Sequence, residues 1–212
     1  MKHYKKIEHS DAKNIPALKL ILTGWIAALK DYNKVHDGKY PEFAWWYHER
    51  ACIGFLAAAA WRSGGVALEE WVTNKGEKTA PRKGRSDLYV KKPQTYEFHI
   101  EAKRTWVSVT SKNAMQHLQK ELARANVDCG QLQNPKRDER LAVLFVSPYF
   151  VPGKQENMRA QLSHWLEQFE NEFSHCAIAW LFDGASLEPK KGQKAEKVHP
   201  GIVMLAARWK KA

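Results

Sequence analysis

Between Ser86 and Trp106 the chain reads SDLYVKKPQTYEFHIEAKRTW, two alternating runs joined by the turn Pro93-Gln94-Thr95, and no other stretch constrains the fold as tightly. Alternation with a period of two predicts a β-hairpin with one buried face. With a three-residue turn Lys92 pairs with Tyr96, and stepping outward brings Asp87 opposite Glu101. One face then carries Leu88, Val90, Phe98, Ile100 and Ala102. The other carries Asp87, Glu97, His99, Glu101 and Lys103, because successive side chains of a strand point to opposite sides. A hairpin with so continuous an apolar face has to lie in a core sheet, which requires further strands and helices to cover it.

The rest of the chain supplies them. Leu18, Leu22, Trp25, Leu29 and Tyr32 recur at helical spacing and predict a helix over 16–34. A second helix is expected from about Phe43 to Arg62, closed by Gly64 and Gly65. The run VALEEWVT (66–73) reads as a strand before the hairpin. After the hairpin come a helix from near Thr110 to before Gly130, with Met115, Leu118 and Leu122 inward, and the strand RLAVLFVS (140–147). A helix over 155–173 and strands over 175–182 and 201–209 complete the order. The pattern predicts an α/β fold, a mixed sheet flanked by helices. At 212 residues and 44% hydrophobic composition, one domain over 1–212 is expected.

Composition narrows the partners. There are 34 Lys+Arg against 23 Asp+Glu, a net charge of +11, and the pI is near 9.5. That balance favours polyanions such as nucleic acid. Cys52, Cys129 and Cys176 are far apart and form no CxxC pair, so neither a disulfide framework nor a cysteine-rich zinc site is indicated, and a cytoplasmic location is expected. The basic start (Lys2, Lys5, Lys6) and the apolar run after it imitate a signal peptide, but Glu8, Asp11 and Lys19 break the pattern. No other stretch approaches a membrane span, so no membrane partner is expected.

The hairpin's polar face carries the chemistry. Directly opposed carboxylates lie ~5 Å apart and repel; a divalent cation between them offsets the repulsion. Mg²⁺ suits such a place, since it takes one or two carboxylates with waters and a substrate phosphate. The plainer alternative is a surface hairpin in which Glu101 pairs with Lys103 or Arg104, at little gain. Glu49 is predicted to emerge from the apolar face of the second helix beside Trp46, Cys52, Ile53 and Leu56, where a carboxylate needs a partner: a metal, a metal-bound water, or Arg50 or Lys103 in a salt bridge. The segment KGEKTAPRKGR before the hairpin sets Lys75, Lys78, Arg82, Lys83 and Arg85 against Glu77 and reads as a basic loop. Lys112, Gln116 and Lys120 line a polar helix side that could follow a phosphate backbone. Trp45, Trp46 and Trp106 could stack on bases. His48 and Cys52 have a zinc-like spacing but no second pair. No phosphate-binding glycine loop and no nucleophile elbow occurs.

Glu49, then Ser86-Asp87, then Glu101-Ala102-Lys103, on a helix and two successive strands, resembles the PD-(D/E)xK nuclease superfamily over roughly residues 43–147. The resemblance implies a restriction-endonuclease-like αβββαβ core, here with an extra N-terminal helix and a C-terminal αββ extension. It implies a Mg²⁺-dependent phosphodiesterase, with Mn²⁺ as substitute, acting on nucleic acid; DNA and internal cutting are expected. Asp87, Glu101, the Ala102 carbonyl and Glu49 would hold the metal. Lys103 would orient the attacking water, and Arg82, Lys83, Arg85, Lys112 and Gln116 would contact nucleic acid. Serine replaces the motif's proline, and no Gln-x-x-x-Tyr element follows. A nuclease-fold module that binds or assembles without turnover is the alternative, and a homodimer or a partner protein is left open.

Overall fold

The computed structural model describes residues 8–36, 42–77, 79–133, 136, 139–151, 157–184, 187 and 197–210. The basic start, most of the break over 36–42, Lys78 and the first residues of the helix expected from 155 lie outside them.

Seven strands form one sheet in the order β1-β6-β7-β5-β4-β3-β2. They are β1 (Glu8–Asp11), β2 (Val66–Glu77), β3 (Ala80–Lys92), β4 (Tyr96–Ser108), β5 (Arg140–Tyr149), β6 (Ala177–Phe182) and β7 (Gly201–Arg208). Among the described strands only β4 and β5 run parallel. They are joined by α3 (Ala114–Gly130), as a parallel pair requires a crossover. The other helices are α1 (Lys19–Val35), α2 (Glu49–Arg62) and α4 (Met158–Glu172). The architecture is a mixed α/β fold with helices on both faces of the sheet. No helix of the described residues is long and apolar enough to cross a membrane.

Two cores sandwich the sheet. Leu22, Trp25 and Leu56 of α1 and α2 pack on Leu88, Val90, Phe98, Ile100 and Phe145. On the opposite face Leu118, Trp165 and Phe169 of α3 and α4 pack on Leu144, Val146 and Trp180. Central β5 is covered from both sides, and for that reason its sequence is an unbroken apolar run.

The helix expected over 16–34 begins at Lys19, after a 3-10 turn over Pro16–Leu18; of its stripe, Leu18, Leu22, Trp25 and Leu29 are buried and Tyr32 is half-buried. The short strand β1 on the sheet's edge had no legible signal. The helix near Thr110 begins later, at Ala114. The end of α2 is as expected: Gly64 adopts φ +77°, its N–H donates to Trp61 O and the Gly65 N–H to Ala60 O, both at 3.0 Å. That is a Schellman closure, which favours glycine at the left-handed position. The start of α2 is not as expected. Residues 44–46 form a 3-10 turn, Tyr47 and His48 are extended, and α2 begins at Glu49. Trp45 explains the break: its side chain is buried, and its carbonyl accepts from the Ser147 hydroxyl at 3.2 Å and from the Arg104 guanidinium. An oxygen held this way is not free for a helical N–H.

The segment read as a basic loop is strand over 75–77 in β2 and over 80–85 in β3. β2 and β3 stay paired from Val66–Lys91 to Glu77–Ala80. The hairpin tip is fastened to the end of α3: the Gly76 N–H donates to Gln131 O, and the Gln133 N–H to Asn74 O, both at 2.9 Å.

Candidate functional site

The β3–β4 ladder follows the predicted register from Lys92–Tyr96 to Leu88–Ile100 and stops there. Side chains take over one residue before Glu101 would be paired. The Ser86 hydroxyl donates to Ile100 O at 3.1 Å, while Asp87 Oδ2 accepts the Ala102 N–H at 2.7 Å. Beyond this point β3 leaves β4, and a gap opens along β4's edge. Alternate residues of a strand send their backbone groups to the same side. Arg104 therefore faces the gap as Ala102 does, and its backbone N–H opposes the rise that burial imposes on the Glu49 carboxyl. The first residue of α2 and the last free residue of β3 thus converge on adjacent donors of β4. Glu49 gains further from its place in the first turn of α2, where a carboxylate complements the helix dipole.

Across the ladder β3 shares with β2, Asp87 faces Glu70, and this pair is skipped. Glu70 has a left-handed backbone, φ +54°, a strained conformation for a non-glycine residue that concentrates at functional sites. Its carboxylate lies 3.3 Å from Arg85 and 3.8 Å from Arg50.

Among the described residues Glu101 is the most buried acid, 2% exposed. Burial pushes its carboxyl up to about 7, with Asp87 adding to the rise and Lys75 opposing it. Lys75 Nζ lies 2.7 Å from Glu101 Oε1. Asp87 and Glu49 are likewise raised, mainly by burial. Lys103 is raised above its ordinary value: burial works against the ammonium, but Asp128, Asp87 and Glu49 outweigh it. Its Nζ is 2.5 Å from Asp128 Oδ2.

The structure therefore brings together Glu49, Asp87, Glu101 and Lys103, with the Ala102 backbone between them. Asp128 and Glu70 were missed from sequence. Asp128 had a signal: it is an acid in the last turn of α3, where the helix dipole disfavours one. Glu70 had none, since its conformation depends on the parting of the strands.

The expected nucleic-acid contacts divide. Arg82, Lys83 and Arg85 are exposed on the outer part of β3, although Arg85 is paired to Glu70 and Arg82 donates to Gln131 Oε1 at 3.3 Å. Lys112 and Gln116 are exposed, but they lie at the opposite end of α3 from Asp128, about 18 Å along the helix. Lys112 precedes α3 altogether. Trp45 is a core residue with its Nε1 on His199 O at 3.0 Å, so it is no base platform. Trp46 and Trp106 are half-exposed, and the Arg104 guanidinium lies over the Trp106 ring at 4.3 Å.

Among the described residues no group of three or more His, Cys, Asp or Glu stands close enough to hold a metal ion. Mg²⁺ needs fewer protein ligands. The carboxylates of Asp87 and Glu101, from diverging strands, and the Ala102 carbonyl on the gap side form a hard oxygen set that fits it. The chain matches no family model, no curated protein and no solved structure.

Proposed function

We propose that the protein is a Mg²⁺-dependent nuclease with a restriction-endonuclease-like core, cutting DNA internally at the gap between β3 and β4. The observation that carries this reading is the convergence of Glu49, Asp87, Glu101 and Lys103 where the ladder stops. A buried concentration of acids beside a lysine is costly to folding unless it serves a cation and an anion.

Asp87, Glu101 and the Ala102 carbonyl would hold Mg²⁺, with Glu49 completing the shell directly or through water. When bound, the ion supplies an acidified water and neutralises charge at the phosphate. The remaining roles belong to the chain. Lys103 keeps its proton, because Asp128, Asp87 and Glu49 stabilise the ammonium; it therefore orients the attacking water and steadies phosphate charge rather than acting as a base. Asp128 positions that ammonium through the 2.5 Å pair. Lys83 and Arg82 on the hairpin beside the site present positive charge to the phosphate backbone.

A second reading, a nuclease-fold module without turnover, draws on two observations: Glu101 and Lys103 are both engaged in ion pairs, and among the described residues no three ligand side chains cluster. Incubation with supercoiled plasmid, linear duplex and single strands in Mg²⁺, Mn²⁺ or EDTA separates the two. The nuclease reading expects nicking or linearisation of plasmid with either metal and none in EDTA. Intact substrates under every condition would favour the second.

Glu49→Gln tests the helix residue by itself. The change keeps size and packing and removes one half-buried charge, so the cleavage rate should fall at least about tenfold while more Mg²⁺ is needed for half-maximal rate. Melting in EDTA should be unchanged or slightly higher. A lowered melting point with an unaltered Mg²⁺ titration would make Glu49 a structural residue only.

A further inference from the structure

Lys75 occupies an unusual position. It sits near the tip of the β2–β3 hairpin, cross-strand from Arg82, yet its side chain turns inward, only 16% exposed, to reach Glu101. Two features hold it there. The hairpin tip is fastened to the end of α3 by the Gly76–Gln131 and Gln133–Asn74 backbone bonds, which roofs Glu101. Gly84 on β3 leaves room for the stem: a Cβ there would stand 2.9 Å from Lys75 Cδ and 3.0 Å from its Cγ. The absence of a side chain at Gly84 is what opens the path.

We propose that Lys75 is a built-in counter-cation that holds the place of the divalent ion at Glu101 and is displaced when the ion binds. This rests on the reading of Asp87 and Glu101 as metal ligands. Two cations cannot both sit against one buried carboxylate oxygen, since like charges at that separation repel strongly where water is scarce. The metal's apparent affinity therefore includes the cost of parting Lys75 from Glu101, and the metal-free protein escapes most of the repulsion among Glu49, Asp87, Glu101 and Asp128. The ammonium so released lies on the same strand pair as Arg82 and Lys83, where it adds to the charge facing a phosphate backbone.

The test is Mn²⁺ binding to the full chain by calorimetry, with melting in EDTA measured in parallel, for wild type, Asp87→Asn, Lys75→Met and Gly84→Ala. Lys75→Met keeps the stem and removes the charge. Gly84→Ala keeps the charge and obstructs the path, and it serves if the first variant does not fold. The expected result is Mn²⁺ bound by wild type and lost in Asp87→Asn, with at least about tenfold tighter binding in either Lys75→Met or Gly84→Ala. Both variants should melt lower than wild type in EDTA and regain the difference in Mn²⁺. Wild type that binds Mn²⁺ through Asp87 while the folded variants bind it no more tightly would overturn the role of Lys75 and leave the metal site standing. Wild type that binds no Mn²⁺, or binds it equally in Asp87→Asn, would overturn the metal site and this inference with it.

Discussion

Asp87→Ala, Glu101→Ala and Lys103→Ala should each lower the rate of plasmid cleavage in Mg²⁺ by on the order of a thousandfold or more, with the fold retained. The magnitude follows from what each removes. A metal's stabilisation of developing charge is worth several kcal/mol, and each 1.36 kcal/mol is about tenfold in rate. Asp87 and Glu101 are on adjacent strands at the point where the ladder ends, so losing either leaves one carboxylate and a carbonyl. Asp87→Ala also frees the Ala102 N–H from its 2.7 Å bond, and for that reason Asp87→Asn, which keeps an acceptor, belongs in the same series. Lys103→Ala leaves Asp128 unpaired at the rim and takes the ammonium from the phosphate. Because the three act as one unit, a double variant should be scarcely worse than either single one. The measurement is initial nicking rate per folded molecule, with folding checked by melting. Near-normal turnover in any one of the three would remove that residue from the site.

Glu101→Gln should stabilise the metal-free protein at neutral pH and flatten its pH profile. Glu101 titrates at about 7 in the folded chain, against roughly 4.3 when unfolded. Between these values the folded state binds a proton that the unfolded state has already lost, so stability falls as pH rises through the window and levels off above it. The Lys75 ammonium opposes the shift but does not cancel the burial that causes it. A rise of this size corresponds to roughly 4 kcal/mol, or on the order of 10 °C in melting temperature for a chain of this length. Glutamine avoids that penalty, and Lys75, on a flexible stem, can turn to solvent. Glu49 and Asp87 are raised in the same direction, so some slope remains. Melting in EDTA from pH 4.5 to 8 reads the effect directly. A Glu101→Gln variant that melts lower than wild type at pH 7.5, with the slope unchanged, would mean that Glu101 is an ionised partner of Lys75 across the whole range.

Alternation and periodicity were enough to specify most of the fold. The apolar set Leu88, Val90, Phe98, Ile100 and Ala102 fixed which face of the hairpin is buried, and the turn at Pro93 fixed its register as far as Leu88–Ile100. The α1 stripe and the doubly buried β5 were legible for the same reason: solvent exposure imprints a period on a sequence wherever one face is wet, and erases it where neither is. The meeting of Asp87, Glu101 and Lys103 followed from that register. Sequence could not show where regular structure gives way, because each break is made by a side chain far away along the chain. Arg104 and Ser147 capture the Trp45 carbonyl and delay α2 to Glu49. Ser86 and Asp87 replace the ladder with their own hydrogen bonds and open the gap. Asp128 and the inward turn of Lys75 over Gly84 arise from the docking of α3 and the hairpin tip, and the left-handed Glu70 from the parting of the strands. The sequence by itself determined most of the elements, their buried faces and the pair of acids. Tertiary packing alone decided which backbone groups stay unpaired around those acids and which cations reach them, since a carbonyl or a carboxylate takes whichever donor the fold brings within about 3 Å, whatever its distance along the chain.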